Sequence, residues 1–391
     1  MTHQLDRAAI DAVLSAAVAR GAVPHVAAVV ADADGVLYEG GFGVRTVGGD
    51  EGPVSADTTF RLMSMTKMIV TAAALHMRDE GLLDFDAPVS AYLPEFAKQR
   101  VLTGFEGDEP VLVAPETEAT VHHLVTHTAG FSYWFWNANL ARYEQLTGTP
   151  NVVTGKSEAL AAPLVHHPGE AIEYGINTDW LGRVMEQAAG QPLDEIVRDR
   201  ITGPLGMKHT GFEMTDANRA DAATIHVRGE DGAWVNVGDI VGPDPEWIAG
   251  GHGMFSTPSD YTRFERALLR GGELDGVRIL AEATVNEAFQ PQAGALEFPA
   301  ELPTADPSAS DTLRVGPHNT WGFGLLINTQ DSPVGRRAGS GAWAGLCNTH
   351  FFIDRASGIC ASIYSNTLPF VESEGAWAMF QDFERAIYGV R

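Results

Sequence analysis

Lysine and cysteine are the scarce residues of this 391-residue chain, with four lysines (Lys67, Lys98, Lys156, Lys208) and two cysteines (Cys347, Cys360). Two cysteines cannot frame a disulfide scaffold. They fit buried thiols in a reducing compartment, so a cytoplasmic location is expected. Positive charge is also in short supply. Twenty-six Lys and Arg stand against 51 Asp and Glu, a formal net charge of −25. Nucleic acid is thereby excluded as a partner, because binding phosphates needs a basic face. No apolar run is long enough to span a bilayer, and the start of the chain lacks a basic segment followed by an apolar one, so no membrane association is expected.

Several catalytic signatures are missing too. No serine sits in a G-x-S-x-G context, which removes the strand–turn–helix elbow of α/β-hydrolases. The glycine-rich stretch Gly250-Gly251-His252-Gly253 lacks the G-x-x-x-x-G-K-[ST] pattern and any basic residue to meet a phosphate. His123 and His127 stand four apart, but without the glutamate of H-E-x-x-H they read as structural histidines. No metal and no organic cofactor is expected.

What is present centres on residues 60–75, Phe-Arg-Leu-Met-Ser-Met-Thr-Lys-Met-Ile-Val-Thr-Ala-Ala-Ala-Leu. Met, Ala, Leu and Lys favour helix, and no Gly or Pro interrupts before Gly81, so a helix is predicted to begin near Ser64. Three-residue spacing puts Ser64 and Lys67 on one face, one turn apart. A hydroxyl beside an amine whose pKa is lowered by burial is an activated nucleophile, and this is the S-x-x-K pattern. Lys67 is flanked by Met63, Met65, Met68, Ile69 and Val70, an apolar setting that favours burial over a solvated face.

Elsewhere, residues 25–31 and 35–44 read as an antiparallel hairpin, and residues 97–119 as loop. The aromatic run Phe131-Ser132-Tyr133-Trp134-Phe135-Trp136 fits either core packing or the wall of an apolar pocket. Tyr174 precedes a helix predicted from Thr178 to Ala189. Strands are predicted at 321–327, 349–354 and 359–365, with a closing helix from about Gly375 to Tyr388. Strands at both ends and helices between them imply one sheet built from both termini and a helical insertion.

Seven segments in one order carry a family resemblance. They are Ser64-Met65-Thr66-Lys67, Thr126-His127-Thr128-Ala129-Gly130, Pro168-Gly169 with Tyr174, Pro204-Leu205-Gly206-Met207, Gly251 to Thr257 with Asp260, Trp321-Gly322-Phe323-Gly324, and Trp343-Ala344-Gly345. Together the chain resembles the serine β-lactamase and penicillin-binding superfamily, in its class C-like branch, and is most similar to the family VIII carboxylesterases. The resemblance implies an α+β, β-lactamase/transpeptidase-like fold. Residues 1–85 and 310–391 would form an antiparallel sheet flanked by helices, and residues 86–309 a mostly helical domain, with the site in the cleft between.

It further implies Ser64 as nucleophile, Lys67 as its amine partner and Tyr174 as general base and then acid, the phenol pKa lowered by the lysine cation. The N–H groups of Ser64 and Leu346 would form the oxyanion hole. Tyr133, Trp134, Trp136, Trp247, His252, Trp343 and Gly345 are the expected substrate contacts. Two departures narrow the chemistry. Tyr174-Gly175-Ile176 has no asparagine at the Y-x-N place, Asn177 standing one position late, and Trp343 replaces the lysine of K-T-G. Without that cation a β-lactam or peptide carboxylate loses its anchor. The expected activity is hydrolysis of a neutral, small-molecule carboxylic ester through an acyl-enzyme. β-Lactamase, D-aminopeptidase or amidase, and acyltransferase activity remain alternatives on the same residues, as does a catalytically silent ligand binder.

Overall fold

The computed structural model describes residues 5–49 and 52–390. Its main body is a seven-stranded antiparallel sheet. Two strands come from near the N-terminus, β1 (His25–Asp32) and β2 (Val36–Gly43). Five come from the C-terminal part: β3 (Asn319–Trp321), β4 (Leu326–Asn328), β5 (Gly341–Gly345), β6 (Thr349–Asp354) and β7 (Ile359–Tyr364). The strand order is β3-β4-β5-β6-β7-β1-β2, so β1 pairs with β7 and joins the two ends of the chain.

The period-two alternation of side chains sorts these strands into two cores. Val26, Ala28, Val30, Ala342, Phe352 and Ala361 face one side, where helices α1 (Arg7–Ala19) and α5 (Ala376–Tyr388) cover them. Ala27, Ala31, Trp343, Phe351, Ile353 and Tyr364 face the other, against α2 (Thr66–Asp79) and α4 (Pro258–Leu269). Both faces are buried, as the near-continuous apolar runs in β1 and β6 require. Residues between β2 and β3 carry most of the remaining helices, among them α3 (Asn177–Ala189).

Two expectations need revising. Residues 97–119 are not loop. They hold a hairpin pairing Val101–Glu106 with Glu109–Val113, in which Gly104 sits at a register shift and Pro110 stands within a strand, both residues that read as breakers in sequence. The predicted strand at 321–327 is two strands, because Gly324 takes φ +75° and turns the chain back on itself. The helix start near Ser64 holds to within two residues and needs only refining. Residues 63–65 form a tight 3-10 turn, and the regular helix begins at Thr66.

That turn is held firmly. Met63 sits at φ +48°, a conformation an unbranched non-glycine residue rarely adopts and that only surrounding structure sustains. Leu62 N–H donates to the Met254 carbonyl (3.0 Å), and the Leu62 carbonyl accepts from Thr349 Oγ1 (3.0 Å). The Tyr261 hydroxyl donates to the Met65 carbonyl (3.0 Å), and Met254 N–H donates to Thr66 Oγ1 (3.1 Å). α2 then runs buried almost all round, from Thr66 to Leu75, as the central helix. Strand β5 abuts the same turn at Gly345, where any Cβ would collide with the Leu62 carbonyl and Thr349 Oγ1. Gly345→Ala should therefore cost ~1–3 kcal/mol of stability, the usual penalty for overpacking. An unchanged urea midpoint would show that strand and turn are not in this close register.

Candidate active site

The Lys67 side chain is 1% exposed, and its amine has three neighbours. Ser64 Oγ lies at 3.1 Å, the Tyr133 hydroxyl at 2.9 Å and the Gly251 carbonyl at 2.8 Å. Burial pushes the amine pKa down from its ordinary value near 10.5, while the carboxylate of Asp179 works in the opposite direction. Desolvation of the ammonium is the larger effect. Asp179 is fully buried in the first turn of α3, and its own pKa is raised by burial against the pull of Lys67. Gly251 joins the two groups. Its N–H donates to Asp179 Oδ1 (2.7 Å) and its carbonyl accepts from Lys67. A Cβ on Gly251 would run into the Asp179 carboxylate, so only glycine lets the two approach.

Tyr174 lies on the other side of the amine. Lys67 Nζ is 4.8 Å from its ring centroid, and its hydroxyl accepts a hydrogen bond from Trp343 Nε1 at 2.7 Å. Ser64 acts on both phenols, lowering the pKa of each. Burial wins nevertheless, and both phenols have raised pKa values. This corrects the expectation that a lysine cation would make Tyr174 more acidic. Lys67 is itself driven toward its neutral form, so the cation that would lower the phenol is weakened.

The other sequence candidates fall into three groups. Tyr133 and Trp343 belong to the polar cluster itself and not merely to its walls, through their hydrogen bonds to Lys67 and Tyr174. Trp136 packs tilted at 5.7 Å from the Tyr174 ring and anchors its indole N–H on Ser310 Oγ (3.1 Å). Trp134 donates to Asp306 Oδ2 (3.1 Å) at the edge of the same aromatic group. His252 is buried with its Nδ1 at 3.7 Å from Asp179 Oδ1, its pKa pushed down to about 3 chiefly by burial. Trp247 meets His252 edge-on at 6.1 Å and lines a separate large cleft with Phe212, Val241, Phe255 and the Arg61–Asp239 ion pair. Gly345 and the buried Leu346 lie where β5 meets the serine turn.

Asn177 does not take the vacant Y-x-N place. Its amide is engaged with His127 Nδ1 (2.8 Å) and the Glu173 carbonyl (3.3 Å), away from the amine. His123 and His127 are drawn apart as well, since His123 completes a capping box with Thr120. Sequence reasoning missed Asp179. An acid in a helix's first turn ordinarily reads as a surface residue complementing the dipole, and nothing local marks this one as buried. It missed Gly251 as an acceptor because a backbone carbonyl has no sequence signature.

A family model described as Beta-lactamase matches residues 10–383. Among curated relatives, the esterase EstB of Burkholderia gladioli is 31% identical, over 92% of this chain and 90% of its own length. The lovastatin esterase of Penicillium rubens is 30% identical, over 90% of each chain. The monacolin J acid methylbutanoyltransferase of Aspergillus terreus is 31% identical, over 94% of this chain and 92% of its own. Among solved structures, a variant of the simvastatin synthase of Aspergillus terreus superposes with a TM-score of 0.82 at 28% identity, covering 97% of this chain and 94% of its own.

The electrostatics give a spectroscopic expectation. With the lysine side chains isotopically labelled, Lys67 should titrate well below 10.5 and apart from the other three. Asp179→Asn should move its midpoint lower still, because the charge that favours the ammonium is gone. An upward move would reverse the assigned sign.

Proposed function

The chain belongs to the beta-lactamase family, and from that footing we propose that it is a serine carboxylesterase of the family VIII kind, acting on neutral esters through an acyl-enzyme on Ser64. One observation carries the reading. A neutral Lys67 amine has two N–H groups, and two acceptors, the Gly251 carbonyl and the Tyr133 hydroxyl, stand ready for them. The remaining lone pair then falls to the third neighbour, the Ser64 hydroxyl at 3.1 Å. The buried amine is thus poised as the general base for the nucleophile.

Ser64 Oγ attacks the ester carbonyl as its proton passes to Lys67. The N–H groups of Ser64 and Leu346 receive the oxyanion, each worth ~3 kcal/mol of barrier. Both phenols are held neutral by burial, which suits them to donate protons and not to accept them. Each also already accepts a hydrogen bond, Tyr133 from Lys67 and Tyr174 from Trp343, so each has its own O–H free to give. Tyr174 is assigned as acid to the departing alkoxide and Lys67 as base. Water then repeats the sequence on the acyl-enzyme and frees the carboxylic acid.

Substrate charge follows from what the cleft lacks. Trp343 offers an indole where related β-lactam enzymes offer an ammonium, and the chain's net charge of −25 opposes anions. A neutral ester with an apolar acyl group fits the ring of Tyr133, Trp136, Tyr174, Trp321 and Trp343 around the amine. A second reading, acyl transfer to an organic alcohol, is favoured by one finding: a transferase and esterases match this chain at almost the same identity. The chemistry up to the acyl-enzyme is common to both. The two buried, unpaired thiols support a reducing, cytoplasmic setting. Among the described residues no helix is long and apolar enough to cross a membrane.

Ser64→Ala should reduce hydrolysis of short-acyl p-nitrophenyl esters by ~10³-fold or more without lowering Tm. Substantial residual turnover would remove Ser64 from the mechanism. Tyr174→Phe should cost ~10²-fold in kcat on ethyl esters and markedly less on p-nitrophenyl esters, whose leaving group departs without protonation. Equal losses on both would take the acid role from Tyr174. Added alcohol partitions the acyl-enzyme between acid and new ester, and the product ratio separates esterase from transferase.

A further inference from the structure

Asn177 has one amide nitrogen with two hydrogens to place. It is the first residue of α3 and is fully buried. Its Nδ2 lies 3.3 Å from the Glu173 carbonyl and 2.8 Å from His127 Nδ1. A carbonyl only accepts, so the nitrogen of the amide, and not its oxygen, must face Glu173. The second hydrogen then goes to His127 Nδ1, which must be the unprotonated ring nitrogen. Burial pushes the His127 pKa well down, which keeps the ring neutral and leaves Nδ1 able to accept.

Both acceptors belong to the mounting of Tyr174. Glu173 precedes it in the chain, and the Glu173 N–H donates to the His127 carbonyl (2.8 Å). The Glu173 carboxylate accepts from the Ser132 hydroxyl and from the Asn137 amide (3.4 Å), so this residue is held by main chain and side chain alike. Gly175 follows Tyr174, and a Cβ there would strike the Phe131 carbonyl and the Ser132 backbone. The His127 imidazole packs against the Tyr174 ring at 4.7 Å and edge-on to Trp321 at 4.8 Å. His127 itself takes φ +56°, a conformation that surrounding bonds must sustain. One side-chain amide therefore ties the peptide before Tyr174 to the ring beside it.

We propose that Asn177 and His127 are positioning residues for Tyr174, the amide fixing the imidazole and the Glu173 peptide so that the phenol is aimed at the departing oxygen. This role rests on the assignment of Tyr174 as acid to the alkoxide. Trp343 bonds the hydroxyl from one side, but one bond at the tip leaves the ring free to pivot about it. Contacts at the ring face and at the preceding peptide remove that freedom. Such aim matters, since a misplacement of about 1 Å can cost ~10²-fold in rate. An asparagine is required and not an aspartate, because an ionised carboxylate has no hydrogen for the Glu173 carbonyl.

Asn177→Leu keeps much of the volume and removes both hydrogens. On ethyl esters kcat should fall about tenfold, with KM changed by less than about twofold. On p-nitrophenyl esters, whose leaving group departs without protonation, kcat should fall by less than about threefold. In the Tyr174→Phe background the same substitution should cost no further activity on ethyl esters. Equal losses on the two ester classes, or a tenfold loss that persists without the phenol, would reduce Asn177 to a structural residue and overturn the positioning role. Tyr174→Phe separates the two assignments. If it shows no leaving-group dependence, the acid role fails and the positioning role falls with it. If it does and Asn177→Leu does not, the positioning role alone fails. Nitrogen-15 NMR of the histidine-labelled, unmodified protein decides the bond even if the variant misfolds. His127 should be neutral at neutral pH with its proton on Nε2. A proton on Nδ1 would reverse the hydrogen bond and overturn the proposal.

Discussion

Everything at the candidate site depends on keeping the Lys67 amine out of water. In solution an ammonium carries its proton far above neutral pH and makes no base. The protein surrounds this one with two phenols, one backbone carbonyl and a hydroxyl, and with aromatic rings beyond them. The three acceptors could serve an amine or an ammonium, so it is burial that favours the neutral form. The balancing charge, Asp179, is kept one residue away behind Gly251, close enough to moderate the shift and too indirect to pin the proton on the lysine. The arrangement trades stability for reactivity, as burial of an ionisable group in a helix core must.

The same requirement explains features that look unrelated. The strained turn at Met63 presents Ser64 at the mouth of a helix that is otherwise buried, so that one residue of α2 is reachable while the rest is core. Four hydrogen bonds, from three separate parts of the chain, hold that turn. Two of those partners lie on the glycine-rich stretch at Met254 and on β6 at Thr349. The sheet and the glycine-rich stretch thus converge on the turn that carries Ser64. Gly251 and Gly345 are both needed as glycine because backbone approaches backbone or carboxylate there with no room for a Cβ.

Much of this was legible in the sequence. Continuous apolar, β-rich runs placed the strands at both ends, and the Ala-rich run placed α2. Ser64 and Lys67 at three-residue spacing, with Tyr174 and Trp343 in family order, marked the cluster. What could not be read was set by long-range packing. Whether Tyr133 walls a pocket or bonds an amine depends on where a loop 66 residues away from Lys67 comes to rest. Whether Asp179 meets solvent or the core depends on which face of α3 docks on α2. The sign of the Tyr174 shift failed for a related reason: a neighbouring charge is visible in a motif, whereas the extent of burial is not. The hairpin at 101–113 was missed because Gly104, at a register shift, and Pro110 break its pattern.

Strand β5 shows how tightly function and fold are superimposed. Alternation sends Trp343 to one side and Ala342 and Ala344 to the other. On the inner side a large indole bonds the Tyr174 hydroxyl. On the outer side two small residues leave room beside α5. A strand of five residues cannot change one face without the other following through its shared backbone, because a one-residue slip would exchange them. A slip would put a Cβ against the Leu62 carbonyl where Gly345 now lies, and Thr349 of β6 bonds that same carbonyl. The register of this single internal strand therefore sets both its contact with the serine turn and the placing of the indole beside Tyr174.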